Sequence, residues 1–148
     1  MGYVTRQDIQ DRLADEVLIE LTDENGQAID WAVIDKAIDF ANAEVDSYLG
    51  VRFSVPIDPV PLILRERATD IAIFHLYKKR ISESAVEMPE EVRRAYEDAI
   101  LWLEKVRDGK ATISGLDTQG GQVSDTETDK VSGWSRDKIY GNTFEEEY

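Results

Sequence analysis

His75 is the one histidine in a chain of 148 residues that contains no cysteine. A zinc site built on it would need its remaining ligands from scattered carboxylates, and no serine, aspartate or glutamate can be assigned to it as a catalytic partner from spacing. Set among Ile71, Ala72, Ile73, Phe74 and Leu76, it is expected to be a core or interface residue held through one ring nitrogen. The loop Asp23, Glu24, Asn25, Gly26, Gln27, Ala28, Ile29, Asp30 has the ingredients of a calcium loop, oxygen-bearing side chains around a glycine. Its spacing departs from that of an EF-hand, because Gly26 is fourth rather than sixth and the twelfth position is Ile34. A helix-to-helix turn is the reading the spacing favours. The acids Glu87, Glu90, Glu91, Glu97 and Asp98 read as a solvated helix face, since catalytic carboxylates need facing geometry that one helix does not supply. Gly120 and Gly121 sit in a polar run and form no phosphate-cradling loop. No catalytic residue, no metal ligand set and no cofactor site is therefore expected, and the chain is expected not to be an enzyme.

Composition narrows the remaining classes. Seventeen basic against 31 acidic residues give a formal charge of −14. That argues against a general basic face for nucleic acid, whose binding depends on cations replacing phosphate counterions, and against docking on an anionic membrane. No apolar run approaches the ~20 residues of a membrane span. The opening MGYVTRQDIQ has no secretory pattern, so the protein is expected to stay in the compartment where it is made.

Two kinds of material follow one another. Residues 1–109 hold nearly all the apolar periodicity, and residues 110–148 are polar, rich in Gly, Ser, Thr and Asp. Thr5 and Asp8 form a capping-box pair ahead of Ile9 and Leu13, and Asp15 is the expected cap of a second short helix. From the N-cap Asp30, the positions Ile34, Ala37, Ile38, Ala41, Val45, Tyr48 and Leu49 recur at helical spacing, with Asp35, Lys36, Asp39, Asn42 and Asp46 on the other face. Gly50 is the expected left-handed close of that helix. Pro56, Pro59 and Pro61 punctuate an extended link, and Pro61 can serve as a first helical residue. Residues 62–79 are apolar on more than one side, which marks a central helix. Pro89 opens a last helix with the stripe Val92, Tyr96, Ala99, Ile100, Leu103 and Val106, and Gly109 ends it. Long helices with short links predict antiparallel neighbours. The fold expected is all-α, a small bundle of four to five helices with two or three long antiparallel ones, plus a flexible or extended C-terminal arm over 110–148 and any β-structure confined to 51–58 and that arm. Ile38, Val45, Ile71, Tyr96, Ile100 and Leu103 are the expected core.

The arm interleaves Val131, Trp134, Ile139, Tyr140 and Phe144 with Arg136 and Lys138. Aromatics contribute heavily to interfaces, so Trp134, Arg136, Tyr140 and Phe144 are candidate partner-binding residues; the alternative is that the segment folds back on its own bundle. On the central helix, Arg65 and Arg67 stand beside Glu66 and Asp70, as candidate intersubunit pairs or as salt bridges within one helix.

Three stretches carry a resemblance: the opening MGYVTRQDIQDRLADEVLIELTD, the segment NGQAIDWAVIDKAIDFANAEVDSYLGVRFSVPIDPVPLILRERATDIAIFHLY, and EEVRRAYEDAILWLEKVRDGK. With the helix ending in A-x-x-x-x-D-S-Y-L and the R-x-x-A-x-D-I-A-x-x-x-L-Y helix starting at Arg65, they resemble the head–tail joining family of Mu-like bacteriophages and prophages. The resemblance resumes at Trp134, Ser135, Arg136 and Asp137, and the stretch from Asp117 to Asp129 and the end Glu145, Glu146, Glu147, Tyr148 depart from it. It implies a helical connector ring under the portal in the virion neck, assembled in the bacterial host cytoplasm. The partners it implies are the portal and tail or tail-completion proteins, with a homo-oligomeric ring when assembled and no sequence-specific nucleic-acid or membrane binding. The alternative class is a small phage-encoded regulatory or adaptor module acting as monomer or dimer.

Overall fold

In the computed structural model, which describes residues 2–84, 87–114 and 116, five α-helices follow in order: α1 Arg6–Arg12, α2 Asp15–Thr22, α3 Trp31–Leu49, α4 Leu62–Glu83 and α5 Glu90–Arg107. Among the described residues there is no strand, so the all-α bundle expected from the periodicity is what forms. The chain divides into a compact unit through Ile113 and a second unit from Ser114 onward. The candidate arm residues Trp134, Arg136, Tyr140 and Phe144 lie outside the described residues.

Local chemistry starts most of the helices where the sequence places them. Thr5 accepts from the Asp8 N–H while Asp8 accepts from the Thr5 N–H, a closed capping box. Asp30 accepts from the Ala32 N–H at 3.1 Å and starts α3. Pro89 precedes the first turn of α5, where Glu90 and Glu91 sit against the positive end of the helix dipole. Three details differ from expectation. α2 begins at Asp15 itself, with Ala14 at the cap position and no side-chain cap. Pro61 is the N-cap of α4 with an extended ψ of 149°, not a helical residue. Gly50 is right-handed at φ −64°, because the chain continues in a tight turn whose Arg52 and Phe53 N–H groups both return to the Leu49 carbonyl. Gly109, at φ +80°, does close α5 in the left-handed region.

The core runs along the three long helices. Phe74 meets Tyr96 and Arg67 meets Trp102, so α5 descends as α4 rises; Glu44 in the later half of α3 meets His75, while Val33 and Lys36 near its start border one groove with Lys79 and Ser82 near the end of α4, which sets α3 antiparallel to α4 as well. Ile34, Ala41, Val45, Leu49, Leu64, Ile71, Leu76, Ala99, Leu103 and Val106 are fully or nearly fully buried between them. Of the expected core, Ile38, Val45, Ile71 and Leu103 are buried, whereas Tyr96 and Ile100 are half-buried. The short helices α1 and α2 add Ile9, Leu18 and Leu21, and Ile57 and Ile113 seal the ends from the links.

The N-terminal segment is fixed by Tyr3, which is 1% exposed. Its hydroxyl donates to Asp46 and accepts from the Ile57 N–H at 3.0 Å, and its own N–H donates to Asn42 at 2.9 Å. Asn42 and Asp46, expected on the solvent side of α3, are thus the anchor for both the N-terminus and the proline-rich link. Gly2 lies so close to the Asn42 amide that a Cβ there would collide with it.

Candidate functional site

The most concentrated polar chemistry in the bundle lies where the three long helices meet. Glu44 of α3 reaches His75 Nε2 of α4 through Oε1 at 3.0 Å, and accepts from the Tyr96 hydroxyl of α5 through Oε2 at 2.8 Å. Tyr96 stacks on Phe74 with centroids 3.9 Å apart, while Phe40 and Phe74 flank the His75 ring. Burial, then the hydrogen bond to Glu44, pushes the Tyr96 phenol well above its ordinary range, so it is a hydrogen-bond donor and no base. Glu44 spends one oxygen on each partner. The arrangement is a polar clasp across three helices, and it matches the expectation that His75 is held through one nitrogen. Among the described residues, the hydrogen-bond partner of the ring is the Glu44 carboxylate.

The Asp23 loop is closed on itself. Its carboxylate accepts from the N–H groups of Asn25, Gln27 and Ala28 at 3.0–3.1 Å, which holds its carboxyl below the usual range. Thr22 Oγ1 then accepts from the Asp30 N–H, so the loop is the helix-to-helix turn that its spacing favours. On α5, Arg93 pairs with Glu90 and Glu97, and Arg94 with Glu90, one turn apart along the helix. Among the described residues, no group of three histidine or acidic side chains is placed to hold a metal ion.

Arg65 and Arg67 diverge. Arg65 is exposed beside Asp8, Asp11 and Arg12 of α1. Arg67 is half-buried, its guanidinium 5.9 Å from the centroid of the Trp102 ring and its Nε enclosed without a hydrogen-bond partner. Asp70 pairs with Arg12 of α1, joining two helices where a pair within α4 was the alternative. Burial, opposed by Arg12, raises the Asp70 carboxyl above its ordinary range.

Large apolar side chains left in solvent mark a second kind of candidate surface. Leu62 is 69% exposed and Ile63 lies next to it at the start of α4; Phe40 of α3 is 57% exposed and packs on His75. His75 follows Ile63 by twelve residues, about 18 Å along the helix axis, so these are two separate patches. Sequence reasoning placed Leu62 in a helix apolar on several sides, but did not single out Phe40, the one bulky aromatic among the polar positions of α3.

A model of the family described as "Bacteriophage Mu, Gp36" matches residues 3–132. Gene product J of Escherichia phage Mu is 33% identical over 122 residues, which is 80% of each chain. The Mu-like prophage FluMu protein gp36 of Haemophilus influenzae is 36% identical over 87 residues, 59% of this chain and 57% of that one. The match spans the whole helical bundle and runs on into the second unit; the chain belongs to the bacteriophage Mu Gp36 family.

Proposed function

We propose that this protein is a structural, non-catalytic component of a Mu-like phage that joins the DNA-filled head to the tail, assembling as a ring under the portal. The observation that carries the reading is the pair of exposed apolar patches on one small bundle, at Leu62–Ile63 and at Phe40. A ring is a heterologous assembly and needs two different complementary faces on each protomer, which a rigid bundle with separated patches can offer. Membership of a phage Mu family supports the setting. Arg65, exposed beside the Leu62–Ile63 patch, is the more available intersubunit cation, and Arg67 contributes from its place on Trp102. Trp134, Arg136, Tyr140 and Phe144 are the contact residues of the arm, toward the portal, tail or tail-completion proteins or a neighbouring copy in the ring. The location that follows is the virion neck, reached from the host cytoplasm; among the described residues no helix is long and apolar enough to cross a membrane.

Light scattering and negative-stain microscopy test this on the full chain, alone and mixed with the portal encoded nearby. Rings on the portal are the expected result. Copies that stay monomeric and ignore the portal would overturn it and favour the regulatory or adaptor module.

A further inference from the structure

An open groove of about 420 Å³ runs between α3 and α4, floored by Ala37 and Leu76 with Phe40 on its wall, and Lys36, Lys78 and Lys79 stand around it. The described residues contain five lysines, and three of them border this one groove in a chain of formal charge −14. Lys79 pairs with Glu83 at 2.5 Å, whereas Lys36 and Lys78 are exposed and in no ion pair with another described residue. The surface therefore combines an exposed aromatic, an apolar floor and local positive charge on a molecule otherwise dominated by negative charge. A segment that fits it carries an aromatic side chain for the floor and carboxylates for the rim.

The chain's own sequence holds such a segment. Tyr140–Tyr148 reads YGNTFEEEY, with Phe144 directly before Glu145, Glu146 and Glu147. We propose that the groove between α3 and α4 receives the Phe144–Tyr148 end of a second copy of this chain, Phe144 against Phe40 and Leu76 and the three glutamates among Lys36, Lys78 and Lys79. The 31 residues from Ile113 to Phe144 set an upper reach of about 100 Å, far beyond the ~13 Å radius of gyration of a domain this size, so a neighbour is within range. A tail on one copy and a groove on the next make the heterologous, repeating contact that a ring needs. The inference rests on the ring reading and gives Tyr140 and Phe144 a partner inside the ring, leaving Trp134 and Arg136 for the portal or tail.

The first test uses a fluorescein-labelled peptide of residues 140–148 and full-length chain carrying E145K, E146K and E147K, so that its own acids do not compete. Saturable binding by fluorescence anisotropy is expected, weakened at least tenfold by K36E with K78E and by Phe40→Ala, all at exposed positions, with unchanged helical circular dichroism. Absence of saturable binding, or binding indifferent to those changes, overturns the proposal. The second test places a photo-crosslinking benzoylphenylalanine at position 144 in a mixture of nitrogen-15-labelled and unlabelled copies. Crosslinks joining labelled to unlabelled chains at α3 or α4 are expected. Crosslinks within single copies, or only to added portal, overturn it. Rings on the portal despite failure of these tests would leave the neck reading standing alone; binding between copies without rings would sink the neck reading and keep the groove.

Discussion

At the scale of single residues, the bundle depends on side chains whose partners lie far away in sequence. Tyr3 is the clearest, because one hydroxyl serves both the Asp46 carboxylate and the Ile57 N–H. Tyr3→Phe keeps the packing but leaves a buried N–H and a carboxylate oxygen without that partner, so it should cost about 1–3 kcal/mol, read as a lower urea midpoint at unchanged m-value. Asp70 gives a pH dependence with a definite sign. Its folded-state carboxyl is raised above its ordinary range, burial outweighing the pull of Arg12. The folded state therefore holds this proton to a higher pH than the unfolded chain. The Asp70 contribution favours folding most at pH below the unfolded value and declines as pH rises through the folded one. Wild type should lose stability relative to Asp70→Asn as pH rises through and just above the ordinary aspartate range, followed by thermal melts of both proteins. A gain across that window would mean that the Arg12 attraction outweighs burial.

At the scale of helices, the sequence is most readable where a contact is local. The Thr5–Asp8 box, the Asp30 cap, the Glu90–Glu91 start and the Gly109 close are all interactions within four residues, and the structure contains each of them. Asp30→Ala should therefore cost roughly 1 kcal/mol, seen as a lower thermal midpoint with α3 still formed, since only one N–H at its start loses its acceptor. Gly50 was readable only as a residue type: whether it turns left- or right-handed depends on the return of Arg52 and Phe53 to Leu49. Non-local features left weaker marks. Glu44 lies between Ala41 and Val45 on the inner side of α3, a carboxylate at a core-facing position in a chain with one histidine, and that pairing was the available signal for the clasp with His75 and Tyr96. Nothing in the spacing of α3 distinguished Asn42 and Asp46, which hold Tyr3, from Asp39, which faces water. Helical periodicity says which side a residue takes, and says nothing of which distant segment will cover that side.

At the scale of the whole molecule, the proposed ring requires the same bundle to be indifferent to its exposed patches when alone and to depend on them when assembled. Leu62 at 69% and Phe40 at 57% exposure gain little from the monomer's own packing, so a charge at either should change monomer stability by no more than about 0.5 kcal/mol. Buried against a neighbour, that charge is desolvated without a partner, a cost of several kcal/mol per junction. In such a heterologous ring, the Leu62 side of one copy and the Phe40 side of the next meet at every junction, with the Phe144–Tyr148 segment of the copy that presents Leu62 lying along the groove beside Phe40. Leu62→Glu copies alone and Phe40→Glu copies alone should each fail to form rings with portal, because every junction contains one damaged face. A mixture of the two retains one good combination, the intact Leu62 face of the Phe40→Glu copy against the intact Phe40 face of the Leu62→Glu copy. It should stop at pairs, with mass by light scattering near twice that of the monomer, since each pair presents only damaged faces outward. A symmetric dimer built on a single patch responds differently: one of the two variants would leave it untouched and mixing would restore nothing to the other. The mixture thus separates a closing ring from an adaptor dimer without requiring any ring to be seen.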